Sequence, residues 1–218
     1  MAPYLPFLVV HIAAGFTALA TGTVALATEK GSPIHRRAGR IFFWAMVAVA
    51  LTAFVIASLR WNPFLLSIGL FSLYLVFAGR RAADLRPATP RWPDWLAAIL
   101  MMIAALGMIG RGGQSLAHGQ IGLAPVLVVF GIIGGALAAQ DLAAIRRGPR
   151  EGRARLQRHL ARMLGGMIAA TTAFVVVNAG FLPPLVRWLG PTVLFVPFIA
   201  YWSRRVMLGR IGRLGNAP

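Results

Sequence analysis

The chain of 218 residues contains no cysteine and very few acidic residues. Without cysteine it has no disulfide, thiolate metal site, iron–sulfur cluster or cysteine nucleophile. Only 5 residues are Asp or Glu, and Lys30 is the single lysine. Charged residues make up 12% of the chain, against about 25% in typical soluble domains. The sequence also lacks a P-loop, a nucleophile elbow and an HExxH motif. These absences argue against a soluble globular protein and predict no catalytic residue among the familiar motifs.

The sequence is rich in long apolar segments. Hydrophobic residues make up 58% of the chain, and the mean hydropathy is +0.73. A run of about 20 apolar residues crosses a bilayer as a helix. We therefore predict an all-α integral membrane protein with seven transmembrane helices. The predicted spans are 4–28, 41–59, 63–79, 95–110, 119–140, 160–180 and 185–202. A six-helix bundle, in which the last segment lies in the interface, is the alternative because Pro197 interrupts that segment.

The number of cations alternates between high and low in successive segments between the predicted spans. Segments 29–40, 80–94 and 141–162 and the tail carry four, four, seven and four Lys or Arg, whereas each segment between them carries one. Cytoplasmic loops are enriched in cations, so the N-terminus is predicted outside and the C-terminus in the cytoplasm. The net charge of +17 then reflects topology and anionic lipid headgroups, not nucleic-acid binding. Residues 1–205 are predicted to form one transmembrane domain, with 206–218 a short basic cytoplasmic tail.

No Asp, Glu or Lys lies deep inside any predicted span. Proton pumps and ion-coupled transporters usually need buried carboxylates, so their absence argues against such a function. The same absence of an intramembrane lysine argues against a retinal protein. Asp141 is expected at a cytoplasmic helix end, where it pairs with a nearby arginine.

Four histidines remain as candidates for chemistry. The predicted topology divides them into an outer pair, His11 and His118, and an inner pair, His35 and His159. Three of the four have a glycine four residues later, which places imidazole and glycine on one helix face. These glycines are Gly15, Gly39 and Gly122. An imidazole beside open space is typical of a haem ligand, so we predict one or two b-type haems and no other metal site. Close helix packing at the small residues is the alternative.

The inner histidines lie among arginines at the starts of two helices. The predicted set is Arg36, Arg37, Arg40, Arg158 and Arg162. Cations in the first turn of a helix, where the dipole also favours anions, indicate a site for a small anion or a lipid headgroup. The alternative is that these side chains anchor the helices by extending into the interface.

Two segments resemble a known family. They are His11-Ile-Ala-Ala-Gly together with His35-Arg-Arg-Ala-Gly-Arg40, and the later Arg158-His159-Leu-Ala-Arg162-Met163. The sequence resembles a family of predicted bacterial membrane proteins catalogued as domain of unknown function 2306. The resemblance is expected to cover most of the chain. It implies a helical protein of the bacterial inner membrane and no known reaction.

Three functions are consistent with these patterns. The first is a membrane redox protein that holds b-type haem with transmembrane histidine pairs. The second is a non-catalytic assembly factor or accessory subunit that packs against a membrane protein partner. The third is a carrier for a small anion or lipid that uses the cytoplasmic Arg/His cluster. The redox protein would have a bound chromophore. The accessory subunit would have an outward-facing stripe of small residues, and the carrier a cavity open to the cytoplasm.

Overall fold

The computed structural model describes residues 3–83, 90–148 and 152–209. This part of the chain folds into seven α-helices and no strand, and all seven are long and apolar enough to cross a membrane. The helices are α1 Leu5–Ala27, α2 Pro33–Leu59, α3 Pro63–Ala83, α4 Trp92–Ala117, α5 Ala124–Arg147, α6 Arg153–Asn178 and α7 Pro184–Met207. The predicted all-helical membrane fold with seven spans is confirmed, and the six-helix alternative is not needed.

Proline marks the beginnings of the helices. Six of the seven have proline at the first or second position, where its missing N–H costs no helical hydrogen bond. At α2 the hydroxyl oxygen of Ser32 also accepts a hydrogen bond from the backbone N–H of His35 at 3.2 Å. This cap fixes the first turn of α2 and with it the position of His35.

All seven helices differ from their predicted spans at one or both ends, and α2 begins at Pro33 and α6 at Arg153, earlier than predicted. α4 continues to Ala117, so Arg111 lies inside a helix and not in a loop. A long arginine side chain near a helix end can extend toward water while its backbone stays helical. α5 begins at Ala124 and continues to Arg147, because the glycines at 119 and 122 have positive φ and delay its start. α7 ends at Met207, and residues 210–218 of the predicted tail lie outside the described residues.

α3 and α6 pack against each other in the middle of the bundle. On one side of them lie α1 and α2, whose core includes Phe42, Met46 and Met167. On the other side lie α4 and α5, whose core includes Phe71 and Met101. α7 covers α6 and α5. The bundle therefore has two apolar cores that share α3 and α6.

The helices alternate in direction, which gives the bundle two chemically different ends. We call one the arginine-rich end: it contains the C-termini of α1, α3, α5 and α7 and the N-termini of α2, α4 and α6. Contacts such as Arg153 Nη1 to the Met207 carbonyl oxygen at 3.3 Å join these helix ends. The predicted inner histidines and arginines all lie at this end.

Candidate functional site at the arginine-rich end

All four histidines share one hydrogen-bond arrangement. Each Nδ1 atom lies 2.7–3.1 Å from a backbone carbonyl oxygen. In the order of the histidines along the chain, the carbonyls belong to Val49, Ala25, Gln114 and Gly79. A carbonyl only accepts, so Nδ1 carries the hydrogen and the Nε2 atom of each neutral ring keeps its lone pair. This is the tautomer in which histidine ligates a metal through Nε2.

The structure brings His35 and His159 together. Their ring centres are 6.5 Å apart, and the ring planes are nearly perpendicular, at 80°. His35 donates to α1 and His159 donates to α3, so four helices hold the pair. Both side chains are half-buried. The two histidines of the predicted inner pair therefore lie side by side, one on α2 and one on α6.

A close approach of α3 and α6 positions His159. Gly79 makes it possible: a Cβ atom there would lie 2.8 Å from Sδ of Met163 and 3.2 Å from Cβ of Arg162. Gly79 also supplies the carbonyl that accepts from His159. Met163, one turn along α6 from His159, packs in the α1–α2 core. Met163 therefore packs at the contact between α3 and α6 that Gly79 makes possible.

His11 and His118 have separate surroundings. His11 is half-buried, and its Nδ1 also lies 3.0 Å from Oγ1 of Thr52 on α2. His118 is exposed at the C-cap of α4 and donates to its own helix at Gln114. α1 packs on α2 and α6, whereas α4 packs on α3 and α5. No hydrogen bond or ring contact between these two side chains is found in the described residues.

The glycines that follow the histidines do not lie at close helix contacts. A Cβ atom at Gly15, Gly39 or Gly122 would meet no atom within 4 Å. Gly122 lies in the loop before α5 with φ +30, so its predicted shared helix face with His118 is wrong. At Gly131, in contrast, a Cβ atom would lie 2.9 Å from the backbone oxygen of Ala105. Close packing explains Gly131, while Gly15 and Gly39 border open space.

The structure divides the predicted anion-binding arginines into two groups. Arg36 donates to the carbonyl oxygen of Gly31 at 2.9 Å, and Arg37 and Arg40 are exposed beside it at the start of α2. Arg158 and Arg162 instead point toward α5 and form ion pairs with Asp141. The five side chains therefore do not form one basic cluster.

Asp141 is the functional candidate that the sequence reasoning missed. Its Oδ1 atom accepts from Arg158 at 2.8 Å and from Arg162 at 2.7 Å. Its Oδ2 atom accepts from the Tyr74 hydroxyl at 2.5 Å. Asp141 and Arg162 are each only 4% exposed in their side chains. We call Tyr74, Asp141, Arg158 and Arg162 the buried ion network.

This location corrects the predicted place of Asp141. α5 continues to Arg147, so Asp141 lies inside the helix, and a buried carboxylate is present after all. The expected pairing with arginine is confirmed. Two signals pointed to it: Asp141 is the first charged residue after a long uncharged stretch, and Arg158 and Arg162 are four residues apart on one face of α6.

A cavity of about 80 Å³ opens beside the buried ion network. Its lining includes the polar or charged side chains of Tyr74, Arg81, Asp94, Asp141, Arg155 and Arg158. Arg81 and Asp94 form a two-pronged ion pair, with Nε–Oδ1 and Nη2–Oδ2 distances of 2.7 Å. The lining residues lie on α3, α4, α5 and α6 and next to them, and they include neither His35 nor His159.

Seven long apolar helices with apolar outer surfaces define a multi-pass helical membrane protein. Residues 8–83 match the family described as predicted membrane protein (DUF2306). The resemblance is confirmed over α1, α2 and α3, which include His11 and His35, while His159 and Met163 lie outside the matched residues. No curated protein and no solved structure matches the chain.

Proposed function

We propose that the protein is a membrane redox protein of the bacterial inner membrane in which His35 and His159 are the axial ligands of a b-type haem. The observation that carries the proposal is their convergence from α2 and α6 with both Nε2 atoms outside any hydrogen bond of the described residues. Two ligands suffice for haem, because the macrocycle supplies the other four. Within the described ranges no group of three or more His, Cys, Asp or Glu surrounds a metal position.

The spacing of the rings supports two axial ligands. Two imidazoles bound to one metal from opposite sides have ring centres roughly 6 Å apart, because each metal–nitrogen bond is about 2 Å long. The observed separation is 6.5 Å. The Nδ1 hydrogen bonds to Ala25 and Gly79 hold both rings in the ligating tautomer and increase the basicity of Nε2.

The surroundings fit the remainder of the cofactor. Haem carries two propionates, and arginine pairs well with carboxylates. Arg36, Arg37 and Arg40 lie within the next turn and a half of α2 from His35. Gly39 borders open space, which leaves room for a flat macrocycle beside the helix. Two histidine ligands would leave a haem iron without an open site, so the chemistry that the group would supply is electron transfer and not oxygen activation.

The test is the absorption spectrum of the detergent-purified protein, oxidised and then reduced with dithionite, from cells grown with ample haem. The expected spectrum has a Soret band with sharp reduced α and β bands. His35→Ala and His159→Ala should each lose most of the haem per protein. His118 is exposed and has the same type of Nδ1 hydrogen bond, so His118→Ala is the control and should retain the haem. Haem retained in both inner variants would refute the assignment.

An accessory-subunit function is the second candidate. Its support is that Gly107 on α4 is exposed, Gly15 on α1 is half-buried, and both border open space. Small residues on an outer face permit close approach of a partner helix in the membrane. This function predicts a protein that purifies without a chromophore.

We also propose that the arginine-rich end faces the cytoplasm and its anionic lipids. The support is the distribution of cations, which are concentrated at the helix ends and loops of that side.

A further inference from the structure

The buried ion network contains more positive than negative charge. Arg158 and Arg162 contact a single carboxylate, Asp141, and the third partner of that carboxylate, Tyr74, is neutral when it donates its hydroxyl proton. Both carboxylate oxygens are therefore occupied, and one positive charge has no counterion within the network. A buried charge without a counterion is costly in a membrane protein.

Unused donors accompany this excess charge. The Nε–H groups of Arg158 and Arg162 are buried and have no hydrogen-bond partner in the described residues. The side chain of Arg162 is 4% exposed, and that of Arg158, which lines the cavity, is 25% exposed. Buried polar groups are nearly always satisfied, so an unpaired donor beside a cavity indicates a missing acceptor.

The other charged side chains of the cavity lining, Arg81, Asp94 and Arg155, each have an interaction partner. Asp94 accepts two hydrogen bonds from Arg81 and one from the backbone N–H of Arg91 at 2.9 Å. The volume of about 80 Å³ corresponds to roughly two or three water molecules, or to one small anion. The cavity therefore offers arginine donors and room for an acceptor of limited size.

We propose that this cavity binds a phosphate-class oxyanion, held by Arg158 with Arg162 behind it. The anion supplies the missing counterion and accepts from the cavity-lining guanidinium. The site is separate from the proposed haem pair, because it lies on the α4–α5 side of α6, so either proposal can fail alone. Free inorganic phosphate and the phosphate of a lipid headgroup share this chemistry.

The test measures binding of radiolabelled inorganic phosphate to the full-length protein in a maltoside detergent, by equilibrium dialysis at constant ionic strength. Arg158→Gln leaves the Asp141–Arg162 pair balanced, so the protein should fold, and its affinity for phosphate should fall by roughly tenfold or more. Arg187→Gln is the matched control. Arg187 also has a buried, unpartnered Nε, but it donates to the Val176 carbonyl oxygen at the other end of the bundle.

A second variant changes the affinity in the opposite direction. Asp141→Asn raises the excess positive charge, so a folded variant should bind phosphate more tightly than the wild-type protein. Competition with short-chain phosphatidic acid distinguishes the two sources. A lipid site binds phosphatidic acid and not free phosphate, and loses it in Arg158→Gln.

Three results would overturn the proposal. They are failure of the wild-type protein to bind either anion, unchanged binding in Arg158→Gln, and an equal loss in Arg187→Gln, which would attribute binding to overall charge.

Discussion

Two faces of α6 differ in how completely the polar groups packed against them are hydrogen-bonded. His159 donates from Nδ1 to α3 and the neighbouring His35 donates to α1, and among the described residues neither Nε2 atom has a hydrogen-bond partner. Toward α5, Asp141 has both oxygens occupied by arginine and tyrosine donors. The comparison separates two roles within one bundle: the imidazole pair offers ligand atoms, whereas the carboxylate is saturated and joins helices.

The carboxylate side should respond most strongly to mutation. Asp141→Ala leaves Arg162, which is 4% exposed, without its counterion inside the bundle. Breaking a buried ion pair in this way costs about 3–5 kcal/mol, measured as the free energy of unfolding in mixed micelles. Asp94→Ala is the comparison: it breaks a half-buried pair, whose side chains are 24% and 15% exposed, and removes the hydrogen bond from the Arg91 backbone, so it should cost about 1–2 kcal/mol. Equal losses in the two variants would contradict the distinction between the buried and the half-buried pair.

Close packing comes next in expected effect. In Gly131→Ala the new Cβ would meet the backbone oxygen of Ala105 at 2.9 Å, and backbone atoms cannot rotate away. The variant should lose about 1–3 kcal/mol in the same unfolding measurement. Gly15→Ala meets nothing within 4 Å and should be neutral or gain up to about 1 kcal/mol from the alanine backbone. A stable Gly131→Ala protein would show that α4 and α5 do not meet as described.

The smallest effect is expected at Tyr74. Tyr74→Phe keeps the packed ring, which is 2% exposed, and removes the hydroxyl that donates to Asp141. Because two arginines still satisfy the carboxylate, the loss should be about 1–1.5 kcal/mol. Combining this change with Asp141→Ala should add almost nothing, since the hydrogen bond is already absent. Full additivity in the double variant would disprove the contact.

Local signals allowed much of the fold to be predicted. The Ser32-Pro33 pair is typical of a helix start, and α2 begins there, before the predicted span of 41–59. Uncharged runs predict seven spans because each long apolar helix has to be removed from water. The predicted end of α4 was wrong because Arg111 was assigned to a loop, although its long side chain permits a helical backbone.

The site was predictable only where topology alone brings residues together. His35 and His159 both begin helices on the same predicted side, so their proximity follows from alternation of the spans. Asp141 depends on Tyr74, 67 residues away, and on the face that α6 turns toward α5. No periodicity within one helix contains that information, and the buried ion network therefore required the structure.

The most direct test of the imidazole pair is the low-temperature electron paramagnetic resonance spectrum of the oxidised protein. Two histidine ligands make ferric haem low-spin, and nearly perpendicular rings, at 80° here, make its signal strongly anisotropic. We expect this signal in the wild-type protein, and its replacement by a high-spin signal, or loss of haem, in His35→Ala and His159→Ala alike. A protein without a ferric haem signal, or a low-spin signal unchanged in either variant, would contradict the proposal.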